Sequence, residues 1–263
     1  MQIQAIKSRI IKPNDDLLTA IDEAISKDSN LKGKLPENAV LAISSKVISY
    51  CQGRVVPKLS EAKSAKHDLV KKEAEFYTDP SSSKFDLMLT IKNSTLIVNA
   101  GIDESNAAIN GQACYVLWPE KIQETLNEVW QYLRKKHQLK NFGVITTDSR
   151  SFPLRWGVVG TALNYCGFKG LNNHIGEQDL FGRKMQMEQV NVAEALGVAS
   201  TFEMGEVAEQ TPFVLVSNLK NVQFVNEVPS AKELNDNKIS LEDDLYATLL
   251  TKVDWKKGGS HDE

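Results

Sequence analysis

Asn99-Ala-Gly-Ile-Asp-Glu-Ser-Asn106 follows an apolar run, turns at a glycine, and presents two carboxylates and an amide within four residues. Such a loop suits a metal ion and phosphate, because Mg²⁺ takes oxygen ligands and usually only one or two carboxylates plus substrate phosphates. A second stretch of similar design, Thr146-Thr-Asp-Ser-Arg150, follows the apolar run 142–145 and reads as another loop. A third acidic turn sits at Met204-Gly-Glu206. Three element ends with one acid each can converge on a divalent cation. For any one of them alone the alternative is a cap or a solvated turn, a common role of Asp and Asn.

Outward from the first loop, residues 87–91 and 95–98 flank Lys92-Asn-Ser94 and predict a hairpin that feeds it. Upstream, residues 39–43 form an apolar run of strand length that leads into Ser44-Ser-Lys46, hydroxyls and an ammonium at a strand end. In α/β arrangements ligands gather at the carboxyl ends of strands. Asp15 and Asp16 precede a helical stripe of Leu17, Leu18, Ile21 and Ile25, with acids at its positive end. A polar helical stretch, 60–76, precedes the loop 78–83. Downstream, Pro119 is expected to begin a helix whose Ile122, Leu126, Val129, Trp130 and Leu133 share one face. Its aromatic residues, Trp130 and Tyr132, read as core and boundary. Residues 157–163 are small and apolar and predict close backbone packing, and Asn191 with Glu194 reads as a capping box. Asp179 and Arg183 read as an internal ion pair that fixes the loop between Gly176 and Gly182, with a substrate role as the alternative. Ser240 and Asp243 are expected to cap a helix through Leu245, Leu249 and Leu250, and residues 256–263 are expected to form a flexible tail.

With 263 residues, 41% hydrophobic and 25% charged, the chain is ordinary globular material. We expect a single catalytic unit over 1–255, or two intertwined subdomains within it. A net charge of -3 argues against a nucleic-acid partner. The basic clusters at 63–72 and 134–140 are interrupted by acids and apolar residues and read as solvated helix faces. Cys51, Cys114 and Cys166 show no CxxC spacing, which excludes a zinc ribbon and argues against a disulfide framework. His67, His137, His174 and His261 show no ligand-like grouping, so a histidine metal site or a Ser-His-Asp triad lacks support. No apolar run approaches the ~18 residues of a membrane span, and residues 1–12 lack a signal-peptide core. A cytoplasmic protein is expected. Neither GxxxxGK[ST] nor GxGxxG occurs, so Walker-type and Rossmann sites are unsupported and any phosphate chemistry must use scattered loops.

Taken in order, Ser44-Ser-Lys-Val-Ile-Ser-Tyr-Cys-Gln-Gly-Arg54, the 99–106 loop, Thr147-Asp-Ser149, Asp179-Leu-Phe-Gly-Arg183 and Met204-Gly-Glu206 through Pro212 resemble the gamma-glutamyl ligases that add glutamate to the deazaflavin coenzyme F420 precursor. The likeness runs over 11–216. It implies a mixed α+β fold with mixed or antiparallel sheets and packed helices, typically dimeric, and a GTP- or ATP-using ligase dependent on Mg²⁺ or Mn²⁺ with two metal sites. It further implies that Asp103 and Asp148 are ligands of one metal and Ser149 and Glu206 of a second. By the same likeness Asn106, Ser45, Lys46 and the turn containing Met204, Gly205, Glu206 and Thr211 contact the nucleotide, with 8–11, including Ile11, as a further stretch. Two departures stand out. Where the family usually reads Ser-Lys-Ala-Glu-Gly-Arg this chain has Ser49-Tyr-Cys-Gln-Gly-Arg54, so Tyr50 replaces a nucleotide-contacting lysine and Gln52 an acid. The usual Asp-Thr-x-Gly-Arg becomes Asp148-Ser-Arg-Ser-Phe152, with Phe152 at an arginine position. Together with Pro153-Leu-Arg-Trp-Gly157 these features resemble a bacterial offshoot assigned to folate metabolism.

The implied reaction joins a small-molecule carboxylate to L-glutamate. A carboxylate acylates poorly because oxide would be its leaving group, so transfer of a γ-phosphoryl group must first activate it. Lys46, Arg150 and Arg155 are the candidates for stabilising charge on that phosphoryl group or for binding substrate carboxylates, each with a surface ion pair as its alternative. Two other function classes use the same residues: a metal-dependent phosphatase or nucleotide hydrolase with water as acceptor, and a nucleotide-binding homologue impaired in catalysis.

Overall fold

Strand β2 (Ala39–Ser44) is apolar at consecutive positions because both its faces are covered. Ala39, Leu41 and Ile43 enter one core cluster, while Val40 and Ala42 enter another on the opposite face. An uninterrupted apolar run is what two-sided burial requires. The computed structural model describes residues 1–259, so His261 and the end of the expected tail, 260–263, lie outside the described residues. β2 is the middle strand of a five-stranded sheet in the order β1 (Gln2–Ile6), β5 (Phe213–Ser217), β2, β3 (Phe142–Ser151), β4 (Val158–Cys166). Only the β2 and β3 pair is parallel. With helices on both faces and smaller antiparallel sheets beside it, the chain has the mixed α+β architecture expected.

On one face lie α1 (Leu17–Lys27), α2 (Ser45–Cys51) and α3 (Ile122–His137), which contribute Ile21, Val47, Leu126 and Leu133 to the larger cluster. Asp16 caps α1 by accepting from the Thr19 N–H. The α3 stripe is buried as its spacing predicts, but the helix starts at Ile122 rather than Pro119. The cause is tertiary: Gln52 accepts from the Glu120 N–H and donates to the Glu120 carbonyl, which ties the chain in a bend before the helix begins. Trp130 is buried and donates to the Phe142 carbonyl at 2.7 Å, whereas Tyr132 is half-buried against Asp22.

The other face is covered by α4 (Val192–Met204). This helix lies close on β4. A Cβ on Gly160 would stand 2.5 Å from Thr201 Oγ1 and 2.7 Å from the Gly197 carbonyl, and one on Gly197 would stand 2.8 Å from Ala162 N. The close packing expected for 157–163 is therefore present. Asn191 caps α4 through the Glu194 N–H, but Glu194 does not complete the box; its carboxylate accepts from Thr161 Oγ1 and Ala162 N instead, so it joins helix to sheet.

The hairpin Leu89–Lys92 and Thr95–Val98 forms as predicted inside a four-stranded sheet with Phe76–Tyr77 and Lys256–Lys257. The last of these corrects the tail. Lys256 and Lys257 pair with Tyr77 and Phe76, and Gly258 N donates to the Glu75 carbonyl, so order continues past 256. The polar stretch forms the helix Lys63–Glu73, and the loop 78–83 holds a short 3-10 turn, Pro80–Ser82, capped by Asp79. The helix expected after Ser240 is confined to Ala247–Leu250. No helix among the described residues is long and apolar enough to cross a membrane.

Candidate active site

The carboxyl end of β2, the middle of β3 and the end of α4 meet at a cavity of about 610 Å³. The 99–106 loop closes one side of it. Asn99, Ala100 and Gly101 are consecutive left-handed residues, with φ of 52°, 54° and 70°. Such backbone persists only when its surroundings over-determine it. Here they do: Asn99 Oδ1 accepts from Met88 N at 3.0 Å and Thr90 Oγ1 accepts from Ala100 N at 2.8 Å. Gly101 has no alternative, because a Cβ there would lie 2.4 Å from the Trp118 ring. Two backbone bonds with Val116 then fix Asp103, at 3.0 and 2.8 Å. Its carboxylate accepts from Ser105 N at 2.7 Å and from Ser105 Oγ at 2.8 Å, an Asx turn.

Asp148 reaches the cavity by a different route. Residues 146–150 are not a loop but part of β3, which runs unbroken through Ser151 and pairs with β4 on one side and β2 on the other. The polar residues mislead because the strand leaves the apolar core and enters the cavity wall at this point, so its period changes from burial to site. Asp148 Oδ2 accepts from Ser45 Oγ at 3.1 Å and Oδ1 from Ser149 N at 2.8 Å. Burial is the larger influence on it and pushes its pKa up to about 6, against these two donors.

Lys46 occupies the first turn of α2, the positive end of that helix, where an ammonium is disfavoured. Acids offset this. Its Nζ stands 2.6 Å from Asp103 Oδ2 and donates to the Ser105 carbonyl at 2.8 Å. Burial alone would raise the Asp103 carboxyl, but the Lys46 charge and hydrogen bond hold it below the ordinary carboxylate range. Glu206, at the rim, is raised by burial, lowered in turn by Lys46 and raised again by Asp103. One ammonium is thus felt by all three acids.

Gly205 sets the Glu206 turn, with φ 76° and ψ 170°, and a Cβ on it would lie 2.4 Å from the Glu209 carboxyl carbon. Thr211 Oγ1 ties the turn by donating to the Met204 carbonyl at 2.7 Å, and Asn106 Nδ2 donates to the Val207 carbonyl, so the first and third loops touch. Ser8 N donates to the Gln210 carbonyl at 3.0 Å and brings 8–11 to the same rim.

The structure therefore gathers in one cavity wall Asp103, Asp148, Ser149, Glu206, Ser45, Lys46, Asn106, Met204, Gly205, Thr211 and Ile11. It does not bring Arg150 or Arg155 there. Arg150 stacks on the Phe152 ring at 4.9 Å and faces Glu194 at 3.8 Å, across β4. Arg155 lies on an exposed segment and donates to the Leu154 carbonyl. Asp179 and Arg183 form their ion pair at 2.8 Å, as the sequence suggests. Sequence reasoning read Tyr50 only as the replacement of a nucleotide-contacting lysine and missed its part in the wall: its hydroxyl accepts from Ala108 N at 3.0 Å and holds the chain beyond Asn106. It missed Ser105 as well, although the Asp-x-Ser spacing signals the Asx turn.

Three carboxylates and a hydroxyl are hard oxygen donors suited to Mg²⁺ or Mn²⁺. Asp103 disfavours the charged forms of both Asp148 and Glu206, a mutual repulsion that a cation would relieve. The donors share a cavity without being preassembled, since among the described residues no three His, Cys, Asp or Glu side chains form a ready-made metal cluster. Their chemistry fits the ions.

Comparison with known proteins agrees with this geometry. The F420-0:Gamma-glutamyl ligase family model matches residues 5–218. Similar proteins include coenzyme F420:L-glutamate ligases of Methanopyrus kandleri, 29% identical over 81% of this chain and 84% of that protein, and of Archaeoglobus fulgidus, 29% identical over 80% and 84%. That of Methanocaldococcus jannaschii is 33% identical over 51% of this chain and 52% of its own length. All the converging acids lie inside the matched span, and the chain belongs to the F420-0:gamma-glutamyl ligase family.

Proposed function

We propose that the chain is a nucleotide-dependent γ-glutamyl ligase that forms an amide between a substrate carboxylate and L-glutamate through an acyl phosphate. The observation that carries this reading is the meeting of Asp103, Asp148, Ser149 and Glu206 around a single cavity with Lys46 in their midst. A substrate carboxylate oxygen attacks the γ-phosphorus, the bond to the bridging oxygen breaks, and the nucleoside diphosphate leaves. The glutamate nitrogen then attacks the acyl carbon, inorganic phosphate departs, and the amine proton passes to solvent. No covalent enzyme intermediate is needed.

Asp103, Asp148, Ser149 and Glu206 are the residues that would hold Mg²⁺ or Mn²⁺, which when bound neutralises the triphosphate and charge on the transferred group. Lys46 contributes a point charge to the same phosphates. Asn106, the 204–211 turn and residues 8–11 bind the nucleotide, GTP or ATP. The Ser45 hydroxyl and Ser149 N–H orient Asp148. Arg150 and Arg155 take no part in this scheme. Exposed Leu154, Trp156, Leu180 and Phe181 support association into a homodimer.

A phosphate-release screen tests the reading, with Mg²⁺ or Mn²⁺, GTP or ATP, L-glutamate, and deazaflavin-like and folate-like carboxylates. Release that requires both glutamate and a carboxylate, with a product heavier by one glutamyl residue, is expected. Release independent of glutamate makes the protein a hydrolase and rejects the proposal.

A further inference from the structure

We propose that a second cavity, of about 640 Å³, binds a small multiply charged anion, a phosphate or a polycarboxylate, at a site apart from the first. The two cavities share no wall residue. The second lies where residues 118–124 lead into α3 and meet Arg54, Lys92 and Lys238.

Three independent features of this wall point to an anion. Trp118 is 2% exposed, and its indole N–H finds no acceptor. A buried donor left unmade costs about 1–3 kcal/mol, so the wall is incomplete without an acceptor. Lys121, the N-cap of the 16-residue helix α3, is left-handed at φ 44° and offers no side-chain acceptor. The first-turn N–H groups are thereby uncapped, at the end of the helix that favours negative charge.

The third feature is charge balance. Arg54 and Lys92 share the single Glu73 carboxylate, at 2.7 and 2.5 Å, and Glu120 also pairs with Arg54 at 3.0 Å. Lys72, Lys121 and Lys238 make no ion pair among the described residues, and only Glu124 of the wall acids is uncommitted. Three free ammonium groups against one carboxylate call for a ligand with more than one negative charge. The site also backs onto the first: the Trp118 ring is the surface that Gly101 of the 99–106 loop packs against. An anion that engages the Trp118 indole therefore braces the loop that presents Asp103.

The test uses the full chain labelled with ¹⁵N at tryptophan, with the Trp118 indole signal assigned through Trp118→Phe. Inorganic pyrophosphate and citrate are titrated in without nucleotide. The Trp118 signal should shift saturably with one or both, and the shift should persist in Lys46→Gln, which alters only the first cavity. The double variant K121Q/K238Q should weaken binding about tenfold, the equivalent of ~1.4 kcal/mol, while phosphate release is unchanged. A response to pyrophosphate alone identifies a phosphate ligand, and to citrate alone a carboxylate. A Trp118 signal unmoved by either anion, or one that moves equally in K121Q/K238Q, overturns the proposal.

Discussion

Asp103 and Asp148 face the same cavity, yet the molecule holds them in opposite ways. Asp103 stands on a short left-handed turn, is bonded to its own neighbours, and carries a cation, Lys46, at 2.6 Å. Asp148 stands in a core strand, positioned by pairing with strands distant in sequence, and has only a hydroxyl and one backbone N–H for company. One acid has a paired ammonium, and the other, held by two hydrogen bonds alone, is raised by its burial. An acid in a cavity wall can therefore be costly or stabilising to the bare fold according to what faces it.

The comparison breaks most visibly at Asp148→Asn. Turnover should fall on the order of 100-fold or more, while the melting temperature in chelator should not fall, because the amide keeps a shape that Ser45 and Ser149 can still bond and removes a buried charge. Wild-type-like turnover would remove Asp148 from the site. Next in size, Gly101→Ala forces a side chain into a left-handed position against Trp118. A loss of about 2–4 kcal/mol in urea unfolding is expected, and a neutral result would show that the loop is not held as described. Asp103→Asn should have the opposite thermal sign to Asp148→Asn, destabilising by about 1 kcal/mol through loss of the Lys46 pair.

Glu73 provides the control outside the cavity. Burial alone would raise its carboxyl, but Lys92 and Arg54 outweigh burial and lower it. Its contribution is therefore fully present above the ordinary carboxylate pKa and is lost as pH falls through the depressed value. Acid titration of melting temperature should show a shallower acid limb in Glu73→Gln than in wild type. Identical limbs would mean that the Arg54, Glu73 and Lys92 group does not stabilise the fold.

Much of this was legible along the chain. The α1 and α3 stripes have helical period because one face of each is buried, and β2 reads as a covered strand because it is covered on both faces. The hairpin and the 99–106 loop follow from a turn between two apolar runs. The misreadings share a cause. Residues 146–150 look like a loop because polar side chains line a cavity rather than a core, and local pattern cannot tell solvent from a site. Pro119 looks like a helix start because the tie that delays the helix, between Glu120 and Gln52, crosses 68 positions. Glu194 looks like half of a capping box because Thr161 and Ala162, its actual partners, are far away in sequence.

Read along the chain alone, the pattern carried the main helices, the covered strand β2 and the hairpin, the family, and which oxygen donors were available. It did so because hydrophobic period and turn chemistry are local, and because motif order survives as a one-dimensional record. Which charges meet was settled by the packing of the whole chain. It put Lys46 against Asp103, left Asp148 without a direct ion pair, and sent Arg150 to Glu194. Those choices depend on sheet register and helix packing, which fix distances between residues far apart in the chain, and electrostatic energy depends on distance.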